Sequence, residues 1–179
     1  MKKTLVGILM GSASDRDAME AAAGALEELG VGCEMRILSA HRTPDEVREY
    51  VSQAPGRGIR VLIAGAGMAA HLAGAAGAAT DLPVIGVPMN SSPLGGLDAL
   101  LSTVQMPPGI PVATMGIGAA GARNAGLFAA RMIALSDPAL AKRYRRFGES
   151  QRKKVLAADA ALQKKRGRPK KSAQRAPRK

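Results

Sequence analysis

The chain alternates short, continuous apolar runs with longer amphipathic segments, and this alternation limits the possible folds more than any other feature. Apolar runs at 4–10, 59–64, 82–87 and 112–117 are typical of strands covered on both faces, and 33–38 is predicted as a further strand. The segments between and after them predict helices at 15–29, 43–53, 65–80, 97–103, 124–135 and 139–163. We therefore expect an α/β fold with a central parallel sheet and helices on both faces.

The composition supports an aliphatic core and excludes two classes of site. Hydrophobic residues make up 46% of the chain, aromatic residues only 2%, and there are 21 glycines. The single cysteine, Cys33, excludes an internal disulfide, and we predict that it packs in the core rather than acting as a reactive thiol. The two histidines lie thirty residues apart without Cys/His ligand spacing, so we predict no metal site.

The N-terminal sequence predicts a first strand rather than a targeting signal. Two lysines precede an apolar run, but that run covers only residues 5–10. A signal peptide needs an apolar region of roughly seven to fifteen residues. No stretch approaches the roughly 18 apolar residues of a membrane span. We expect a soluble, cytoplasmic protein that makes no membrane contact.

Most of the positive charge lies at the C-terminus. The formal net charge is +12, and residues 164–179 hold nine Lys/Arg and no acidic residue. We predict a globular domain at 1–163 followed by a disordered basic tail at 164–179. The segment 165–170 (KRGRPK) resembles an AT-hook, which predicts weak nucleic-acid contact through the narrow minor groove. A tail that only solvates the chain is the simpler alternative.

Three loops that follow strands carry most of the unusual polar residues. They are GSASD at 11–15, SAHRTP at 39–44 and GAGMAAH at 65–71. Each loop opens a helix, whose N-terminal N–H groups favour an anion such as phosphate. Ser12 and Ser14 add hydroxyl groups, Arg42 adds a guanidinium, and Asp15 can accept from ribose hydroxyls. These loops predict a site for a phosphorylated ligand at the carboxyl ends of the strands.

Each of these residues also has a simpler interpretation. Ser14 or Asp15 can cap the first helix, and Arg42 can be a solvated surface charge. His41, placed between a strand and a Pro-started helix, is a candidate general acid/base. His71 lies early in an Ala-rich helix, where a packing or interface role is the alternative to the ligand site. The residues alone therefore predict an enzyme for a small phosphorylated ligand that uses histidine for proton transfer.

Several motifs in series resemble one enzyme family. GSASD, SAHRTPD, IAGAGMAAHLAG, PVIGVP, GLDALLSTVQMPPGIPVAT and NAGLFAARMIAL together resemble the bacterial N5-carboxyaminoimidazole ribonucleotide mutases (class I), over roughly residues 4–160. The resemblance implies a three-layer α/β/α sandwich, flavodoxin- or Rossmann-like, assembled as a homo-octamer. It implies isomerisation of N5-carboxyaminoimidazole ribonucleotide to 4-carboxyaminoimidazole ribonucleotide in purine (IMP) biosynthesis, by decarboxylation and recarboxylation, with no cofactor and no metal.

The resemblance also implies roles for individual residues. His41 matches the catalytic histidine of the family. Ser12 and Arg42 match phosphate-binding positions, and Asp15 matches the ribose-binding position. The substrate-binding set that we predict adds pocket positions to these: Ser14, Ser39, Gly67, Ala70 and His71.

Two positions depart from the family pattern. Arg16 stands where many relatives carry an aromatic residue, and Met68 stands where glycine is common, so a positive φ at 68 would strain the backbone.

A related branch of enzymes has to be distinguished from the mutases. These aminoimidazole ribonucleotide carboxylases use free CO₂ and tend to carry Lys after the catalytic His. This chain has Arg42 there, which favours the mutases. A nucleic-acid-binding protein that kept an enzyme fold is the rival interpretation.

Overall fold

The computed structural model describes residues 3–166 and contains one parallel sheet of five strands. The strands are β1 (Thr4–Met10), β2 (Gly32–Ile37), β3 (Val61–Ala66), β4 (Val84–Pro88) and β5 (Ala113–Thr114). Their order across the sheet is β2-β1-β3-β4-β5, and every neighbouring pair is parallel. This is the flavodoxin-like order, so the predicted parallel α/β fold is confirmed.

Within residues 3–166, six α-helices accompany the strands. They are α1 (Arg16–Glu28), α2 (Pro44–Gln53), α3 (Leu72–Gly77), α4 (Leu97–Val104), α5 (Gly118–Ala134) and α6 (Pro138–Arg166). A short 3₁₀ turn at Ala13–Asp15 precedes α1. The helix predicted at 43–53 begins at Pro44, whose fixed φ and missing N–H suit the first helical position.

The two faces of the sheet carry different helices. On one face α1 packs against α5 so closely that a Cβ on Gly126 would meet the backbone of Ala22. On the other face α2 and α3 cover an apolar cluster that includes Leu9, Val51 and Leu62. A sheet between two helical layers is the three-layer sandwich that the sequence predicts.

The strand register fixes where the post-strand loops meet. Met10, the last residue of β1, pairs with Ile37 of β2 on one side and Gly65 of β3 on the other. Beside β1 the strand order reverses its direction across the sheet. Ligands of α/β proteins bind at such a switch point, beyond the carboxyl ends of the strands. The loops after β1, β2 and β3 therefore lie side by side at one edge.

Several predicted boundaries differ from the structure. The third helix covers Leu72–Gly77 instead of 65–80, because residues 67–71 form a loop after β3. The third strand begins at Val61 instead of residue 59, because the Ile59 N–H still closes the preceding turn on Ala54 O, at 3.1 Å. The fifth strand holds two residues instead of six, since the chain leaves the sheet edge after Thr114. The fifth helix begins at Gly118 instead of 124; there Gly121 allows close contact with the backbone of Gly116.

Cys33 lies half-buried in β2 rather than fully inside the core. Burial, together with the nearby negative charge of Glu27, raises the pKa of its thiol. The raised pKa disfavours the reactive thiolate and agrees with a packing role.

The chain divides into two compact units, Met1–Tyr144 and Arg145–Lys179. Helix α6 extends to Arg166, three residues beyond its predicted end at 163, because Lys and Arg favour helix and suit its C-terminal end. Residues 164–166 are thus helical, and the rest of the predicted tail, with most of the AT-hook-like segment, lies outside the described residues. Within residues 3–166, no helix combines the length and apolarity needed to cross a membrane.

Candidate active site

A cavity of about 540 Å³ lies at the carboxyl ends of β1, β2 and β3. Its volume falls in the usual range for small-ligand sites, about 300–1,000 Å³. Fifteen residues line it: Gly11, Ser12, Ser14, Asp15, Ser39, Ala40, His41, Arg42, Ala66, Gly67, Met68, Ala69, His71, Leu72 and Ser91. All three loops singled out in the sequence contribute to this one cavity.

The loop after β1 presents two hydroxyl groups and a buried carboxylate. Ser12 Oγ accepts from Ser14 Oγ at 2.9 Å and from the Ser14 backbone N–H at 3.3 Å. Asp15 is only 6% exposed, with Ser14 Oγ 3.4 Å from its Oδ1. Burial raises the pKa of the Asp15 carboxyl, while hydrogen bonds from Ser14 and Ser12 and the charge of Arg42 oppose the rise. The carboxylate is thus under-solvated and able to accept a ligand hydroxyl.

The capping expected of this loop takes a different form. Asp15 occupies the N-cap position of α1, as one of the two alternatives predicts, but Ser12 is the residue whose side chain caps, at the short 3₁₀ turn. Because that turn precedes α1, Asp15 already has a helical backbone (φ −88°, ψ −7°), and its side chain makes no capping bond. The side chains of Ser14 and Asp15 are therefore left at the cavity.

Ser39 organises the loop after β2. Its Oγ accepts from the backbone N–H groups of His41 and Arg42, at 3.4 and 3.2 Å, and from Arg42 Nε at 3.4 Å. Thr43 does not cap α2 with its side chain; its Oγ1 accepts from the Ser39 N–H at 2.8 Å and donates to Ser39 O at 3.2 Å. These bonds fix the backbone that carries His41 and Arg42.

Arg42 connects the loops after β1 and β2. Its Nη2 donates to the backbone carbonyl of Gly11. The guanidinium thus lies over the end of β1, close enough for its charge to lower the pKa of Asp15. Its planar donor set suits a phosphate, and the cation offsets the negative charge of such a ligand.

The loop after β3 contains the backbone departure anticipated at position 68. Met68 has φ 55°, and it is the one non-glycine residue with positive φ in the described range 3–166. It lines the cavity with 59% of its surface exposed. Next to it, Gly67 allows close contact: a Cβ there would collide with Ser91 Oγ.

His41 and His71 form a hydrogen-bonded pair inside the cavity. His41 Nε2 lies 2.7 Å from His71 Nδ1, and the two rings meet edge to face with centroids 4.8 Å apart. At that distance one nitrogen donates and the other accepts, so the two facing nitrogens hold one proton between them. The pair can therefore carry a proton and still leave one nitrogen of each ring for a ligand.

Eight of the nine predicted site residues line the cavity, and Ala70 does not: it is 2% exposed and packs in the core. Arg16 also stays outside the lining; it forms an exposed ion pair with Glu20 at 3.0 Å.

Ser91, from the loop after β4, lines the cavity but was not predicted from the sequence. The rule used for the other strand ends would have pointed to it, since residues 90–92 are polar and follow a buried strand.

Among residues 3–166, no group of three or more His, Cys, Asp or Glu is arranged to hold a metal ion. The chemistry that the described side chains offer is anion binding by Arg42 and the serines, hydroxyl binding by Asp15 and proton transfer by the two imidazoles.

Comparisons with known proteins point to a single enzyme family. A family model described as AIR carboxylase matches residues 5–154. N5-carboxyaminoimidazole ribonucleotide mutase from Bacillus subtilis is 52% identical over 158 residues, which cover 88% of this chain and 98% of the relative. The mutase from Mycobacterium tuberculosis is 52% identical over 163 residues, covering 91% and 92%.

A solved structure supports the same match. The crystal structure of Treponema denticola PurE superimposes with a TM-score of 0.81 at 31% identity, covering 89% of this chain and 98% of that one.

Proposed function

Since the chain belongs to the AIR carboxylase family and, within it, to the N5-carboxyaminoimidazole ribonucleotide mutases, we propose that it isomerises N5-carboxyaminoimidazole ribonucleotide to 4-carboxyaminoimidazole ribonucleotide. It is an isomerase of de novo purine biosynthesis, acting in the cytoplasm. The observation that carries the proposal is 52% identity over 98% of the B. subtilis mutase.

Substrate binding is assigned to the three strand-end loops. Arg42, with the hydroxyl groups of Ser12 and Ser14, binds the phosphate, and Asp15 accepts from the ribose hydroxyls. The position of Arg42 between the loops after β1 and β2 supports this assignment, since one guanidinium can contact a phosphate held by either loop. Gly67 and Ser39 shape the pocket without charge, so that the imidazole ring of the substrate can reach His41.

The reaction proceeds through CO₂ held in the pocket. The bond between N5 and the carboxyl carbon breaks, its electron pair stays on N5, and N5 gains a proton. C4 of the resulting aminoimidazole ribonucleotide then attacks the CO₂ carbon, and loss of the C4 proton restores the aromatic ring. The net change moves one carboxyl group from N5 to C4 and one proton from C4 to N5, so no co-reactant is needed.

One relay group can handle both proton transfers, and His41 is assigned this role. It gives a proton to N5 as CO₂ leaves and takes one from C4 afterwards, so it ends in its starting state. His71, 2.7 Å away, fixes the ring of His41 and shares the proton between them. Retaining CO₂ beside C4 avoids a bimolecular encounter, and such proximity is worth a large effective concentration.

The deciding experiment offers two substrate sets in parallel to the purified protein and to His41→Asn. One set is N5-carboxyaminoimidazole ribonucleotide, and the other is aminoimidazole ribonucleotide with bicarbonate. We expect turnover of the first set alone, lost in His41→Asn. Turnover of the second set alone would move the chain to the carboxylase branch, and no turnover of either would overturn the proposal.

We further propose a homo-octamer. Helix α4 exposes Leu97, Leu101 and Val104 at i, i+4 and i+7, each at least 51% exposed, and Leu94 before it is 66% exposed. A contiguous apolar face of this kind marks a protein interface. Sedimentation should give eight chains for the wild type and fewer for Leu97→Ser/Leu101→Ser, with Leu135→Ser as the control for an isolated exposed leucine. An octameric double variant would exclude α4 from the interface.

A further inference from the structure

The net charge of the chain resides entirely in the second compact unit. Of 26 Lys/Arg and 14 Asp/Glu, the segment 145–179 holds 14 and 2, which leaves 12 of each in residues 1–144. The unit that contains the active-site cavity is therefore formally neutral. The match to the AIR carboxylase model ends at residue 154, so much of the basic unit lies beyond the family's shared sequence.

The described part of this unit is the helix of residues 145–166, and four cations in its first half are exposed. Arg145, Arg146, Arg152 and Lys153 all have exposed side chains. At 100° per residue, Arg145 and Arg152 form one i, i+7 row, and Arg146 and Lys153 form the adjacent row. The four lie within about a third of the helix circumference, with about 10 Å between the two members of a row.

None of these four cations forms an ion pair within the described chain. The three ion pairs among residues 3–166 join Arg16 to Glu20, Arg57 to Glu34 and Arg123 to Glu28, and none involves the second unit. Glu149 lies between the two rows, three or four residues from each cation, so the face carries four positive charges and one negative charge. Over residues 145–166 eight Lys/Arg stand against two acidic residues, and such a net positive surface is complementary to a polyanion.

We propose that the exposed basic face of this helix, defined by Arg145, Arg146, Arg152 and Lys153, binds the phosphate backbone of duplex DNA. Duplex DNA carries about one charge per 1.7 Å of its axis, so two rows of cations can contact successive phosphates and release counterions.

Two other polyanionic partners fit the unit less well. Binding of single-stranded RNA relies on aromatic side chains that stack on bases, and no aromatic residue follows Phe147. Interfacial membrane helices carry a broad apolar face with Trp, Phe or Leu. Beyond Phe147 this helix exposes only three large aliphatic side chains within the described residues, Val155, Leu156 and Leu162. Phosphate contacts without stacking or insertion favour the duplex.

The test compares the full chain with Arg145→Gln/Arg146→Gln/Arg152→Gln/Lys153→Gln. A matched control removes four exposed arginines of the first unit outside the active-site cavity, as Arg36→Gln/Arg48→Gln/Arg60→Gln/Arg123→Gln. Fluorescence anisotropy with a 20-base-pair duplex is measured over a salt series. Mutase turnover and thermal unfolding of each variant establish that it is folded.

We expect the full chain to bind with a micromolar Kd at low salt and a steep salt dependence. The helix variant should bind at least about tenfold more weakly at 100 mM salt, and the slope of log K against log salt should fall by about 3 to 4. The control variant should stay within about twofold, and turnover should be unchanged in the helix variant. Equal binding by the helix variant and the full chain would overturn the proposal.

A parallel arm uses vesicles with and without phosphatidylserine, and single-stranded RNA of the same length. We expect weaker binding to both than to the duplex at the same salt. Preferred binding to anionic vesicles or to the RNA would assign the basic face to that partner and overturn the duplex proposal. None of these outcomes depends on the mutase reaction.

Discussion

His41 Nε2 lies 2.7 Å from His71 Nδ1, although the two residues are thirty positions apart and belong to different loops. The contact joins the loop after β2 to the loop after β3, across the end of β1. At this distance one facing nitrogen donates and the other accepts, so the orientation of each ring depends on the other. The proton relay of the proposed reaction thus belongs to a pair of residues.

The pair predicts two different mutant phenotypes. His41→Asn removes the relay and should lower kcat by about 10³-fold, within the range for general acid/base catalysis. His71→Asn keeps His41 but removes its partner, and should lower kcat by about tenfold. The measurement is the steady-state kcat and KM of both variants. An unchanged kcat in His71→Asn would show that the pair takes no part in proton transfer.

Arg42 predicts a binding defect rather than a chemical one. Arg42→Lys keeps the charge but loses the planar donor set, so KM should rise by about tenfold with kcat within about threefold. Arg42→Gln should raise KM by about 100-fold. Ser39→Ala, which removes the acceptor for Arg42 Nε, should have a smaller effect in the same direction. A fall in kcat alone for Arg42→Lys would contradict the phosphate-binding role.

Asp15 predicts a pH-dependent cost in stability. Burial raises the pKa of the folded carboxyl above its ordinary value of 3.8, so the folded state binds the proton more tightly than the unfolded state. Stability from this group is fully present below pH 3.8 and is lost as pH rises through the folded-state pKa.

Asp15→Asn should therefore be more stable than wild type at pH 7, while substrate binding is impaired. The advantage should shrink as pH falls toward 4, measured by urea unfolding at several pH values. Asp17→Asn, an exposed neighbour, is the control. An advantage of Asp15→Asn that does not vary with pH would mean that its cause is packing and not ionisation.

The positive φ of Met68 predicts that two substitutions of this residue differ in stability. At φ 55° a Cβ is strained, and glycine is not. Met68→Gly should be more stable than Met68→Ala by about 1 kcal/mol, since both lose the thioether and only alanine keeps the Cβ. The free energy of unfolding from urea titration measures the difference. Equal stability would mean that the loop relaxes out of the left-handed conformation.

Two glycines in the layer of α1 and α5 predict changes of opposite sign. Gly126→Ala would drive a Cβ into the Ala22 backbone and should destabilise the fold by about 1–3 kcal/mol. Gly24→Ala, on the exposed side of α1, meets no atom within 4 Å and should stabilise it by about 0.5–1 kcal/mol. Thermal unfolding of both variants tests the pair. A stabilising Gly126→Ala would show that the two helices can separate at low cost.

The fold was largely predictable from the sequence because buried parallel strands leave a strong local signal. The runs at 4–10 and 84–88 hold consecutive apolar residues, and the structure places strands there. Strand β5 gave a misleading signal: residues 112–117 are also largely apolar, yet the chain leaves the sheet after Thr114. Residues 112–117 are only half-buried, with Gly116 exposed, so the apolar run there does not correspond to a strand in the core.

The site was less predictable because it depends on which strands are neighbours. The loops of His41 and His71 meet only because β1 lies between β2 and β3, and no local pattern specifies that order. The polar residues 90–92 after β4 are a local signal for Ser91, whereas its contact with the loop of Gly67 follows from β3 pairing with β4. Ala70 is the opposite case. It belongs to the same sequence motif as Gly67 and His71, which line the cavity, but its own side chain packs in the core.

The pairing of Met10 with both Ile37 and Gly65 has a consequence for how this enzyme can vary between organisms. His41 lies four residues after the end of β2 and His71 five residues after the end of β3. One residue inserted in either loop adds up to about 3.6 Å of chain and would move the imidazole that follows it. That shift exceeds the tolerance of a hydrogen bond. Insertions and deletions should be excluded from these two strand-to-helix passages and accepted at the far edge of the sheet. For a distant homologue, the residue count between the strand end and each histidine would then be a better guide to inherited activity than overall identity.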